Sequence, residues 1–159
     1  MTELGQLVPP STKSIVEDVG ARKCFTVYCA GEVFGLSVEH AQTIFKVASV
    51  TPIPLGKAEI VGLVNLRGKI VTAVSLRQRL RLPNTQSLAN GLAIGIERRG
   101  ENFALIVDQV GDVIQLDRNM RIAIPPHFDP QRAQLTSELY RVGKQLIPIL
   151  DIGAILDFD

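Results

Sequence analysis

The sequence has no tryptophan, and aromatic residues fill only 5% of its 159 positions. Platforms on which nucleic-acid bases could stack are therefore scarce. Surplus charge is equally scarce, because 17 Lys and Arg against 16 Asp and Glu leave a net +1. Such a chain generates no field that would draw DNA, RNA or an anionic membrane. No apolar run approaches the ~20 residues that span a bilayer. The first residues also lack the basic-then-apolar order of a secretory signal. The expectation is a cytoplasmic chain with no nucleic-acid partner and no direct membrane insertion.

Reactive side chains are few as well. Cys24 and Cys29 stand five apart in a strand-like run, so a period of two aims them at opposite faces. That disfavours a local disulfide or a shared metal and leaves buried structural thiols. The only histidines are His40 and His127. Neither is flanked by an orienting acid or a G-x-S-x-G elbow. There is no H-E-x-x-H, no C-x-x-C and no glycine-rich phosphate loop. Asp108, Asp112 and Asp117 read as a solvated acidic edge. The expectation is a non-enzymatic binding module without cofactor or metal.

Apolar residues, in contrast, make up 46% of the chain, with 21% charged, and mean hydropathy is +0.21. Residues 1–21 show no sustained period and read as a flexible tail. From Lys23 onward, short β-rich runs alternate with Gly, Pro and Asn, the pattern of small barrels or sandwiches. Strands are expected near 23–30, 32–38, 42–48, 59–65 and 69–76, with a helical turn over 77–82 stopped by Pro83. After a linker at 84–91, strands follow near 92–98, 102–108, 112–117, 138–142 and 145–150, and a short helix over 152–156. The halves echo one another. Phe34 to His40 matches Phe103 to Gln109 at an offset of 69, and Gly68 to Leu76 matches Gly143 to Ile152 at 75 to 76. A nearly constant offset predicts two similar β units.

The most informative stretch is Glu59 to Leu76. Arg67 stands between Gly62 and Gly68, in a turn joining two apolar runs, and Gly68 supplies the positive φ of the bend. The arginine lands at the tip of a strand-turn-strand unit, where a partner can reach it.

The string Gly62-Leu63-Val64-Asn65-Leu66-Arg67-Gly68-Lys69-Ile70-Val71, followed by Val74-Ser75-Leu76, resembles the signature of the CheW family of bacterial chemosensory coupling proteins. The resemblance extends to Phe25–Tyr28 with Gly31–Val38, to Val50–Pro54, to Phe103–Val110 and to Tyr140–Leu156, in register over residues 22 to 158. It implies an all-β fold of two small five-stranded SH3-like barrels packed side by side along a hydrophobic seam. The first would span about 22–83 and the second about 91–158, with room for strand exchange between them.

The resemblance also implies a function. Such a chain would be an adaptor linking chemoreceptor cytoplasmic tips to a CheA-type histidine kinase, in an array serving flagellar or pilus motility. Its partners would be the kinase regulatory domain, the tip of a chemoreceptor, and other CheW-like domains as further candidates. Arg67, held by Asn65, Leu66 and Gly68, would sit at the kinase-facing site, and Gly62 would admit a partner's backbone. Val38, Ala41, Thr43 and Ile44 would add surface from the first barrel, and Leu92 and Val113 from the second. The family commonly has glutamate where Thr43 stands, paired with the motif arginine, so Arg67 here lacks that partner. Thr72 and Ser75 stand where proline and aspartate are usual, and Ala104 replaces a glycine. The alternative function is a small-molecule-binding barrel that uses the seam between the barrels.

Overall fold

The computed structural model describes residues 22–47, 49–53, 58–82 and 91–157. The expected tail at 1–21 and nearly all of the expected linker lie outside the described residues. Among the described residues, eleven strands form two sheets. They are β1 (Arg22–Cys29), β2 (Glu32–Ser37), β3 (Ala41–Lys46), β4 (Ile60–Leu66), β5 (Lys69–Ser75), β6 (Leu92–Arg98), β7 (Glu101–Val107), β8 (Gln109–Leu116), β9 (Arg121–Ile122), β10 (Thr136–Val142) and β11 (Gln145–Leu150). Three short α-helices punctuate them among the described residues: α1 (Leu76–Arg79), α2 (Pro130–Gln134) and α3 (Ile152–Ile155). The protein is all-β, as its alternating runs require.

One sheet orders its strands β8-β1-β2-β11-β10-β9, the other β3-β6-β7-β5-β4. The division at 84–91 is therefore not the division between sheets. The β1–β2 hairpin pairs with β8 and β11 of the second half. Reciprocally, β6–β7 pairs with β3 and β5 of the first. The joints explain this. Only Asp108 separates β7 from β8, and one residue cannot reverse a strand when the tightest common hairpin uses two. The chain runs on into the other sheet instead.

Three apolar clusters follow from this arrangement. Val47, Val64, Val71, Ala73, Ala93, Ala104 and Ile106 fill the five-stranded unit. Cys24, Leu116, Tyr140, Ile147 and Ile149 fill the six-stranded one. The largest cluster lies between the sheets, where Val27, Phe34 and Leu36 meet Val74, Leu76, Ile94, Leu105, Ile152 and Ile155. Cys24 and Cys29 belong to different clusters, as their spacing predicts. Both are free and buried, and burial pushes the thiols up to about 11 and about 12.

Equivalent caps close the two units. The Ser75 Oγ accepts from Gln78 N at 3.3 Å and starts α1. The Asp151 Oδ1 accepts from Ala154 N at 3.2 Å and starts α3. Serine thus does at position 75 the capping work that aspartate does at 151. The Arg79 guanidinium then docks the end of α3, donating to Ile155 O at 2.8 Å and Ala154 O at 2.7 Å. Such a contact satisfies carbonyls that a helix end leaves open.

Candidate partner-binding site

The β4–β5 hairpin turns on two residues, Arg67 at φ 52° and Gly68 at φ 83°. Two left-handed residues in succession match the right-handed twist of the flanking strands. The Asn65 Oδ1 accepts from Gly68 N at 2.9 Å and fixes the loop. Arginine pays no such conformation lightly, because its Cβ crowds the next carbonyl in the left-handed region.

The Arg67 Nη2 donates to Thr43 Oγ1 across 3.4 Å, a long contact. Thr43 lies on β3 and Arg67 at the end of β4, the two extremes of the strand order. The sheet therefore curls until its edges meet. Gly95 of β6 makes room for the closure, since a Cβ there would lie 2.8 Å from Thr43 Cγ2 and 3.4 Å from Leu66 Cδ2. Leu66 turns inward onto the barrel core, while Asn65 and Gly68 stay exposed.

Gly62 does something other than expected. A Cβ at this position would lie 2.2 Å from the Thr51 carbonyl oxygen of the same chain. The Thr51 N and O both bond Leu63 at 2.8 Å. The close approach that needs glycine is made by the chain itself, leaving no gap there for a partner's backbone.

Around the turn, Ile44 is 41% exposed and Ile70 is 63% exposed. Ile70 pairs with Asn65 beside the tip and is absent from the expected site. The signal was present in the sequence: a period of two puts Val71 and Ala73 inside and Ile70 outside. Val38, Ala41 and Leu92 are half-buried, and the last two pack on the core between the sheets. Leu92, expected with Val113 on the second barrel, lies on β6 and shares the sheet of Thr43. Val113, 51% exposed on β8, belongs to the other sheet. Arg67, Asn65, Gly68, Thr43 and Ile44 thus gather near one tip, and Val113 stands apart from them.

Asp108 also departs from expectation. Its carboxylate is held by Arg77, with Nε to Oδ1 at 3.0 Å and Nη2 to Oδ2 at 2.6 Å. This fork, with the Ala30 N–H, holds Asp108 below the usual carboxylate range against the opposing effect of burial. It is no solvated edge. Among the described residues, no group of three or more His, Cys, Asp or Glu is placed to hold a metal ion. The seam is filled by the chain's own buried side chains, which does not favour a small-molecule site there.

The CheW-like domain family matches residues 23–159. The chain belongs to this family. It is 28% identical over 127 residues to the chemotaxis protein CheW of Bacillus subtilis, covering 80% of this chain and 81% of that one. The CheW of Treponema pallidum is 24% identical, over 76% and 74%. The crystal structure of the scaffolding protein TtCheW from Thermoanaerobacter tengcongensis superposes with a TM-score of 0.72 at 28% identity, covering 82% of this chain and 88% of that one. Family membership makes the chain a chemotaxis coupling adaptor.

Proposed function

We propose that this adaptor is non-enzymatic and cytoplasmic, and that it ties chemoreceptor tips to the regulatory domain of a CheA-type histidine kinase at membrane-associated arrays. The observation that carries the reading is the closure of the five-stranded unit. It brings Arg67 onto Thr43 and leaves Ile44 and Ile70 exposed beside the tip. An arginine fork can grip a carboxylate bidentately, and exposed aliphatic side chains add apolar area around it. The kinase would take this face.

The receptor tip would lie along the margin of the seam, where Val38, Ala41 and Leu92 are half-buried, with Val113 on the neighbouring sheet. A helical hairpin resting there would use aliphatic anchors at helical spacing. The five-stranded unit then holds the kinase, and the receptor tip bridges both units. No helix among the described residues is long and apolar enough to cross a membrane. Co-sedimentation tests the reading with a receptor signalling fragment and the kinase regulatory domain from the same genome. The kinase domain should sediment with the receptor only when this protein is added. Equal sedimentation without it would overturn the proposal.

A further inference from the structure

We infer that Asp108 is a positioning residue: its carboxylate clamps the two sheets at their one-residue joint and so fixes how the kinase face sits relative to Val113 on the other sheet. The inference rests on the reading that the kinase takes the five-stranded sheet while the receptor tip reaches across to the six-stranded one. Asp108 is the only residue between β7 and β8, where the chain leaves the five-stranded sheet for the six-stranded one. Its own N–H donates to Tyr28 O at 3.0 Å. Its Oδ2 accepts from Ala30 N at 2.9 Å. Both bonds tie it to the β1–β2 hairpin of the six-stranded sheet. From the other side comes Arg77 on α1, which continues directly from β5 of the five-stranded sheet.

The Arg77 side chain is 8% exposed and that of Asp108 25%. A bidentate fork fixes orientation as well as distance, which a lysine at the same place could not do. The other joint lacks this construction. Between β2 and β3, Val38 N donates to Lys23 O at 3.2 Å and His40 N to Ser37 O at 3.1 Å. These bonds stay within the six-stranded sheet. Glu39, the counterpart of Asp108 at the offset of 69, is exposed. One joint is clamped across the sheets, and its counterpart is tied to one sheet alone.

Loosening the clamp should leave the kinase face intact and blur its distance from Val113 on the other sheet. An adaptor transmits through geometry, so coupling would fall while kinase affinity holds. The test uses the full chain with spin labels on Lys46→Cys of β3 and Arg141→Cys of β10; Cys24 and Cys29 are buried and stay unlabelled. Asp108→Asn should broaden or shift the distance distribution while circular dichroism stays unchanged, and Asp108→Glu should partly restore it. If Asp108→Asn does not fold, Arg77→Lys keeps the charge and removes the fork, and the same broadening is expected.

In assays reconstituted with the receptor fragment and kinase, the effect of receptor on kinase activity should fall roughly fivefold or more. The affinity for the kinase regulatory domain should stay within about twofold. Distributions that overlay the wild type in folded variants would overturn the clamp, as would unchanged coupling despite a broadened one. Failure of the wild-type protein to bind either partner would instead remove the functional reading, and the distance measurement would then decide the clamp alone.

Discussion

The two hairpins β4–β5 and β10–β11 occupy equivalent places in the two units, and their differences separate scaffold from function. Both carry a register shift at the same point, between Ile60 and Gly62 in one and Thr136 and Glu138 in the other. At the first bulge Thr51 lies on the backbone, and only glycine fits. At the second, Glu138 occupies the position and pairs with Arg22 at 3.1 Å and Arg121 at 3.2 Å. At the tips the choice reverses. Gly143 takes the left-handed φ of 64° in the second hairpin, whereas Arg67 takes 52° in the first. Ala30 and Arg99 also adopt such angles, so the conformation alone does not mark a site. Arg67 is set apart by its contact with Thr43 across the closed barrel and by the exposed Ile70 beside it.

Breaking the bulge comparison should have the largest effect. Gly62→Val drives a side chain into the Thr51 carbonyl and should cost about 3 kcal/mol or more in chemical denaturation. Glu138→Gly, by contrast, loses partly exposed ion pairs and the bond that its Oε1 accepts from Tyr140 OH at 3.1 Å, and should cost about 2 kcal/mol. Near-equal losses would show that the two bulges are packed alike.

High pH should come next. Folding holds both thiols neutral, up to about 11 for Cys24 and about 12 for Cys29, while unfolded thiols ionise near ~8.5. Their contribution is complete below the unfolded value and is lost as pH rises through the folded ones. Native protein should resist thiol reagents at neutral pH and lose stability progressively above pH ~9. Fast labelling of native protein would contradict the burial of both.

The caps should behave as a matched pair. Ser75→Ala and Asp151→Ala should each cost about 1 kcal/mol, measured by thermal unfolding. A large inequality would mean that one helix is held by packing alone. Smallest is the tip itself. Arg67→Gly relieves a left-handed arginine and should gain about 1 kcal/mol while weakening partner binding. A loss of stability would make Arg67 structural.

Much of this was legible in the sequence. The alternating run from Glu59 to Leu76, the glycine at position 68, the opposed cysteines and the closing helix at Ile152 all obey local rules of period and turn. The repeat was legible too, but aligning Gly68 with Gly143 set the turn one residue off. The strands of these two hairpins run at a constant offset of 76, which places Gly143 opposite Arg67. The elements expected from the sequence omit helix α2 although Asp129-Pro130 announces it: the Asp129 Oδ2 accepts from Arg132 N at 3.1 Å. What stayed hidden is non-local. The exchange of hairpins between sheets, the Thr51 carbonyl against Gly62 and the Arg77–Asp108 clamp join residues far apart in sequence, and no local period reports such pairings.

Under the proposed function the first tip, and not its counterpart, takes the kinase. Calorimetric titration of the kinase regulatory domain against wild-type protein, Arg67→Glu and Lys144→Glu decides between the two tips. Binding by wild type and Lys144→Glu, with a loss of roughly tenfold or more for a folded Arg67→Glu, is the predicted result. Equal binding by all three, or a loss at position 144 alone, would contradict it.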